Sequence, residues 1–245
     1  MLSHLVDKSF VQGGSNSRYD IHELLRQYAA EKLRDSGQKQ HARDAHCAYY
    51  LDFVGDREAA LTDHRQLGTL TELATEFENI RAAWHHAVQE RDCSGIDRAL
   101  DGLFWWFWLA RNNQHEGQAL LCYALERWQP APEEELQPVW MRISARTMEQ
   151  SGPRLTDDPE RIDRVKRALE GARKRNDRAE TAFCQWALGR SIHSKYFSAY
   201  VPPTENLESP AHLFDQSLKY CRECNDQFFI AQILEDSGRF YRTGT

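Results

Sequence analysis

Leu169-Glu170-Gly171-Ala172-Arg173-Lys174-Arg175-Asn176-Asp177 and, 49 residues further on, Leu218-Lys219-Tyr220-Cys221-Arg222-Glu223-Cys224-Asn225-Asp226 share their leucine, arginine, asparagine and aspartate, with Ala172 aligned to Cys221. The register continues: Ala182 and Gly189 align with Ala231 and Gly238 at the same separation. Each copy predicts a helix that ends at Asn-Asp, followed by a second helix in which a small residue and a glycine allow a neighbour to approach closely. A unit that repeats cannot bury its apolar face alone, so the pattern implies stacked helical hairpins.

Helix–turn–helix units with small residues at the crossing are the pattern of tetratricopeptide repeats, which recur every ~34 residues. The excess of about 15 residues falls on Ser198 to Pro210, where Pro202, Pro203 and Pro210 mark an inserted loop. The fold class expected is therefore all-α, a tetratricopeptide-like array of helical hairpins. The array reads as incomplete, because the last helix runs into Tyr241 and Thr245 with no polar capping helix after it.

Working back from the repeat, Glu133-Glu134-Glu135 supplies an acidic first turn for a helix running to about Gln150, and His115 to Trp128 forms a helix with Leu120, Leu121, Ala124, Leu125 and Trp128 on one stripe. Before it stands the densest apolar run, Leu103-Phe104-Trp105-Trp106-Phe107-Trp108-Leu109-Ala110, ended by Asn112-Asn113. A helix apolar on every side is ordinarily buried among neighbours. The functional alternative makes Trp105, Trp106 and Trp108 the lining of a ligand groove, since tryptophan dominates binding hot spots. Apolar periodicity also predicts helices over Lys39 to Ala60, with Gly55 tolerated inside, and over Leu67 to Glu90. His41 and His46 do not share a helix face, so no metal pair is expected there; the adjacent His85 and His86 point apart and read as solvated or edge residues.

At the front, Leu2, Leu5 and Val6 read as the end of a helix, and Ser9 to Gln12 with Arg18 to Ile21 read as a short β-hairpin turning at Gly13 to Ser17. Arg18 to Leu33 then carries three start signals for an amphipathic helix. Asp20 is the expected N-cap, Glu23 the capping-box partner, and Tyr19 with Leu24 a hydrophobic staple. His22 falls in the first turn, where free N–H groups and the helix dipole favour an anion such as phosphate. Helix end, hairpin and capped helix together resemble the back half of a winged-helix unit with too little core to fold alone. The chain thus divides into a partial winged-helix domain (1–36), connecting helices (37–91) and the helical repeats (92–245).

Composition limits what this architecture can do. The 31 basic against 37 acidic residues give a formal charge of -6, which disfavours direct nucleic-acid binding. No apolar run approaches the ~20 residues of a membrane span. With no secretory signal at Met1 to Lys8 and six scattered cysteines, the expected compartment is the cytoplasm with reduced thiols. Cys221 and Cys224 form a lone pair inside a repeat helix and read as small packing residues. No Gly-x-x-x-x-Gly-Lys-Ser/Thr loop occurs anywhere, so the chain has no phosphate cradle of its own. It is not expected to be an enzyme, has no catalytic or metal-binding set, and holds no cofactor by itself.

Two stretches carry a family resemblance. Leu5-Val6-Asp7-Lys8-Ser9-Phe10-Val11 followed by Arg18-Tyr19-Asp20-Ile21-His22-Glu23-Leu24-Leu25-Arg26-Gln27-Tyr28-Ala29 resembles the end of the winged-helix domain in bacterial STAND-type NTPases, the NB-ARC-like and AfsR-like regulators. Glu76-Phe77-Glu78-Asn79-Ile80-Arg81-Ala82-Ala83-Trp84 resembles the stretch that opens their repeat region. Ile21-His22-Glu23 occupies the place of the family's Met-His-Asp motif and differs from it at two of three positions. The resemblance implies that His22 contacts a nucleotide phosphate, but only with a nucleotide-binding domain that this chain lacks; ADP or ATP would belong to a full-length parent. It implies the sensory half of a signal-transducing regulator that binds a protein or small ligand through its repeats. A free-standing repeat scaffold independent of nucleotide is the alternative, and a hydrolase or metal enzyme, motivated only by ten histidines and six cysteines, is a third class.

Overall fold

The computed structural model describes residues 2–13, 19–110, 114–128, 138–147, 159–199 and 208–243. Among them the chain is helical almost throughout, in the order α1 (Leu2–Asp7), β1 (Gln12–Gly13), β2 (Tyr19–Asp20), α2 (Glu23–Asp35), α3 (Lys39–Gly55), α4 (Glu58–Leu61), α5 (Gln66–Thr75), α6 (Phe77–Glu90), α7 (Cys93–Leu109), α8 (Gln114–Arg127), α9 (Pro138–Arg146), α10 (Pro159–Lys174), α11 (Arg178–Ala199), α12 (Pro210–Glu223) and α13 (Gln227–Thr243). The all-α class expected from the sequence is observed.

Asn-Asp turns the chain in both copies by the same means. Asn176 and Asn225 take left-handed backbone (φ 57° and 59°), a conformation asparagine tolerates better than most residues. The N–H groups of Asp177 and Asp226 return to the carbonyls of Ala172 and Cys221, each at 2.9 to 3.0 Å, closing the outgoing helix in a Schellman turn. The aspartate then caps the incoming helix, accepting from Glu180 N at 3.0 Å and from Phe229 N at 2.9 Å. A third such turn joins α6 to α7: Arg91 has φ 57°, Asp92 N bonds Ala87 O at 2.9 Å, and Asp92 accepts from Gly95 N at 2.9 Å. The sequence pattern concealed it because arginine stands where the other two have asparagine. The 91/92 division lies within this turn.

Side-chain packing follows the turns. α7, α9, α11 and α13 contact one another in succession, and each helix from α6 onward also meets the next along the chain. The indole N–H of Trp84 donates to Leu120 O at 2.9 Å and that of Trp128 to Val88 O at 2.8 Å, locking α6 to the α8 segment. The small residues behave differently in the two copies. Ala182 is buried and a Cβ at Gly189 would meet the Phe214 ring at 2.8 Å, whereas Ala231 is exposed and Gly238 faces open space. Close packing at Ala231 and Gly238 is therefore corrected: among the described residues no later helix packs on α13, so its small residues have nothing to admit.

Two predicted helices are broken. Lys39 to Ala60 divides after Gly55, and Leu67 to Glu90 divides at Glu76, which carries φ -98° and ψ 9° between α5 and α6. Apolar periodicity runs unbroken through both corners, so it could not report them. Gly55 is required by proximity, since a Cβ there would lie 2.7 Å from Arg98 O on α7; Gly102 on α7 is its counterpart, 2.6 Å from Val54 O. Backbone cannot step aside as a flexible side chain can. Gly102→Ala, which would gain about 1 kcal/mol in an isolated helix, is therefore expected to cost about 1–3 kcal/mol here, read as a lower midpoint in urea unfolding; a rise in midpoint would refute the close α3–α7 crossing. Of the Glu133 to Gln150 helix, α9 is described from Pro138; the acidic turn at Glu133 and the helix end near Gln150 lie outside the described residues, as do Asn112-Asn113 and most of the loop from Ser198 to Pro210, whose first two residues belong to α11.

Candidate functional site

The hairpin before α2 is present but shorter than expected, with Gln12 opposite Asp20 and Gly13 opposite Tyr19. Because β2 takes Asp20 into the ladder, the helix starts later than its capping signals predict. His22, not Asp20, is the N-cap, with extended backbone (φ -59°, ψ 138°) and Nδ1 accepting from Leu24 N at 3.3 Å. Glu23 becomes the first helical residue and does not fold back in a capping box; hydrogen bonds from Arg26 and Gln27 instead hold its carboxyl down at about 2. The staple is also absent, since Tyr19 and Leu24 are 50% and 69% exposed. With Nδ1 accepting a backbone hydrogen bond, a neutral His22 carries its proton on Nε2 and offers a donor at the positive end of the helix. No residue of α2 is buried, and Tyr28 stands exposed beside Leu24.

The three candidate groove tryptophans do not share a face. Successive helical residues turn by about 100°, so Trp105 and Trp108 point one way and Trp106 another. Trp106 is fully buried against Phe77 (5.7 Å between ring centres) and Phe107, and its assignment to a groove is corrected to core. Trp108 packs against Trp186 at 5.3 Å, donates to Gln232 Oε1 at 2.9 Å and lies beneath the Arg190 guanidinium at 4.5 Å. Trp105 stacks on Trp186 at 5.9 Å and meets Phe228 edge-on at 5.1 Å. These rings join α7, α11 and α13 into one aromatic wall.

Trp105 also lines a cavity of about 360 Å³ between the α3–α4 corner and the start of α13, together with Asp56, Glu58, Thr62, Asp226 and Phe228. The cavity exists because α3 stops at Gly55 and the chain turns through Asp56 before α4. Its acidic members were not legible as a set, since Asp226 lies 168 residues from Glu58; the helix break at Gly55-Asp56 was the available signal. Burial pushes the Glu58 carboxyl up and the nearby Asp101 adds to that, against the pull of Arg146 and Arg142. Behind Glu58 lies an ion network. Arg142 pairs with Asp97, Asp101 and Glu180, and Arg146 with Asp101 at 2.5 Å and Glu180 at 2.8 Å.

The remaining polar candidates settle into structural places. His86, expected at an edge, is buried and its Nε2 lies 2.8 Å from Asp44 Oδ1, tying α6 to α3; His85 is half-buried, edge-on to Tyr123. Cys221 packs in the core, where burial pushes its thiol up to about 12 and away from thiolate chemistry. Cys224 is instead the exposed C-cap of α12, which corrects its reading as a packing residue. Among the described residues no group of three or more His, Cys, Asp or Glu side chains could hold a metal ion, and no helix is long and apolar enough to cross a membrane.

Fold and site together define, among the described residues, a predominantly helical protein whose stacked helices meet on an aromatic wall, with a short hairpin-and-helix unit in front. Over 132 residues, 51% of this chain, it is 35% identical to proteins of Mycobacterium tuberculosis and Mycobacterium bovis that each bear the name "Putative HTH-type transcriptional regulator". The matched stretch covers 14% of those relatives' length. No family model matches the chain, and no solved structure matches it significantly.

Proposed function

We propose that this chain is the sensory and coupling half of a nucleotide-switched signalling regulator of the STAND type, a winged-helix end followed by tetratricopeptide-like repeats that receive a protein or small ligand. The observation that carries the reading is the exposed apolar surface at the front: Leu24 and Tyr28 stand in solvent on α2, a helix that buries none of its own residues, and Phe10 (46% exposed) and Ile21, which precede that helix in the chain, are exposed as well. An amphipathic helix is stable when its apolar stripe has a partner, and the occupant that fits this face is a nucleotide-binding module of the longer parent. His22 at the N-cap then presents its Nε2 donor to an ADP phosphate, and ligand engagement on the repeats shifts the balance between closed and open states. The chain acts in the cytoplasm, contributes no catalytic group, and leaves DNA binding to other parts of the parent. The regulators to which it is similar, far longer than the matched stretch, support this reading.

With a phosphate-loop segment supplied in cis or in trans, His22→Ala is expected to weaken ADP retention about tenfold, the loss of one hydrogen bond to a charged group. Equilibrium dialysis showing unchanged ADP affinity would remove the role given to His22. A free-standing scaffold is the second reading, favoured by the same fact from the other side: α2 buries none of its residues against the helical body. On that reading, captured partners bind the array from Asp92 onward without needing residues 18–33.

A further inference from the structure

We propose that the cavity between the α3–α4 corner and α13 is a binding site for an organic cation, a guanidinium or ammonium group with a hydrogen-bond acceptor beside it. Three carboxylates line it. Asp56, Glu58 and Asp226 have no ion-pair partner among the described residues, and Asp226 spends only Oδ1 on capping Phe229 N, which leaves Oδ2 for a ligand. Such a lining repels phosphate and carboxylate ligands and favours a cation. Two aromatic rings, Trp105 and Phe228, complete the wall, the combination that receives alkylammonium and guanidinium groups by cation–π attraction and apolar contact.

Trp105 is the independent indication that something polar belongs there. Its side chain is 8% exposed, yet its indole N–H has no acceptor among the described residues. The indoles of Trp84, Trp108, Trp128 and Trp186 all donate to protein acceptors. The Trp105 nitrogen is not sealed as those of Trp106 and Trp140 are, and its residue lines the cavity. A buried indole N–H ordinarily finds an acceptor, and a ligand carbonyl or hydroxyl would supply one. A bare metal ion does not fit, because the carboxylates do not converge into a metal-holding group and a metal ion has no acceptor to offer the indole. The volume, about 360 Å³, suits a small molecule or a single long side chain.

This inference rests on the reading of the helical body as a ligand receiver and names the chemistry of what it receives. It needs no nucleotide. Titration calorimetry on the whole 245-residue chain with argininamide, a free small cation that carries a carbonyl, and with N-acetyl-arginine methylamide, an arginine side chain between amides, tests it directly. Binding of either is expected, with affinity lowered about fivefold in Glu58→Gln and again in Asp56→Asn. Asp56 is exposed, so the second variant keeps the fold if the first does not, and circular dichroism checks both. Argininamide alone binding identifies a free small cation; tighter binding of the blocked arginine identifies a partner's side chain. No binding of either probe at millimolar concentration, equal binding of N-acetyl-glutamate methylamide, or unchanged affinity in both variants overturns the proposal. Failure here leaves the His22 test of nucleotide coupling untouched, and failure there leaves this one standing.

Discussion

Arg146→Ala is expected to destabilise the protein by about 3–5 kcal/mol, the cost of leaving a buried charge without its partner. Arg146 and Glu180 are 3% and 5% exposed, and their bidentate pairing at 2.8 and 2.9 Å joins α9 to α11. Asp101 adds a hydrogen bond from α7, and the Phe183 ring lies 4.1 Å beneath the guanidinium. Burial by itself pushes the Glu180 carboxyl up, but the charge and hydrogen bonds of Arg146 outweigh it, with help from Arg142, and the group is held below its usual range. A carboxyl lowered in the folded state stabilises fully above its unfolded pKa, about 4.3, and loses that contribution as pH falls through the lower, folded value. In Arg146→Ala the sign reverses: Glu180 becomes a buried carboxylate with reduced compensation, costly at neutral pH and relieved by protonation. The stability gap between wild type and variant, from urea unfolding, is therefore expected to be largest near pH 7 and to narrow below pH 4. A gap under about 1 kcal/mol at pH 7, as for an exposed pair, would show that water reaches the network. Replacing both partners, Arg146→Met with Glu180→Leu, is expected to cost less than Arg146→Ala alone, because no orphaned charge remains in the pair.

Trp186→Ala is the second large loss, about 4–5 kcal/mol for a fully buried tryptophan. Its ring is the hub of the aromatic wall, 5.1 Å from Phe229, 5.5 Å from Phe183, 5.3 Å from Trp108 and 5.9 Å from Trp105. Its N–H donates to Asp236 Oδ2 at 2.8 Å, and Asp236, itself 6% exposed, is also paired with Arg190. Trp186→Phe keeps much of the ring volume and leaves Arg190 to satisfy Asp236, so its expected cost is about 1–2 kcal/mol, chiefly the lost hydrogen bond and the smaller ring. Thermal melts of the pair distinguish the two roles. Equal losses would mean that the hydrogen bond, not the packing of α7, α11 and α13, carries the stabilisation.

Much of the helical body was legible because its signals are local. The Asn-Asp turns at 176–177 and 225–226 act through the backbone conformation and a short side-chain cap, both of which are properties of neighbouring residues. The start of α2 shows the limit of the same reasoning. Asp20, Glu23, Tyr19 and Leu24 have the right types at the right offsets, yet a cross-strand pairing of Asp20 with Gln12 moves the cap to His22. Three local signals yield to one pairing with a residue eight positions away.

From its own order the sequence determined the all-α class, the repeated helix-turn-helix unit and most of the apolar stripes, because helix formation, capping and periodic burial depend on residues within one or two turns of each other. Only the tertiary structure decided what those stripes meet. It separated Trp106 from Trp105 and Trp108, broke the helices at Gly55 and Glu76, and brought Asp56 and Glu58 to Asp226 across the chain. The physical reason is that a cavity or an ion network is made by surfaces from distant helices, whose relative placement depends on every packed layer between them.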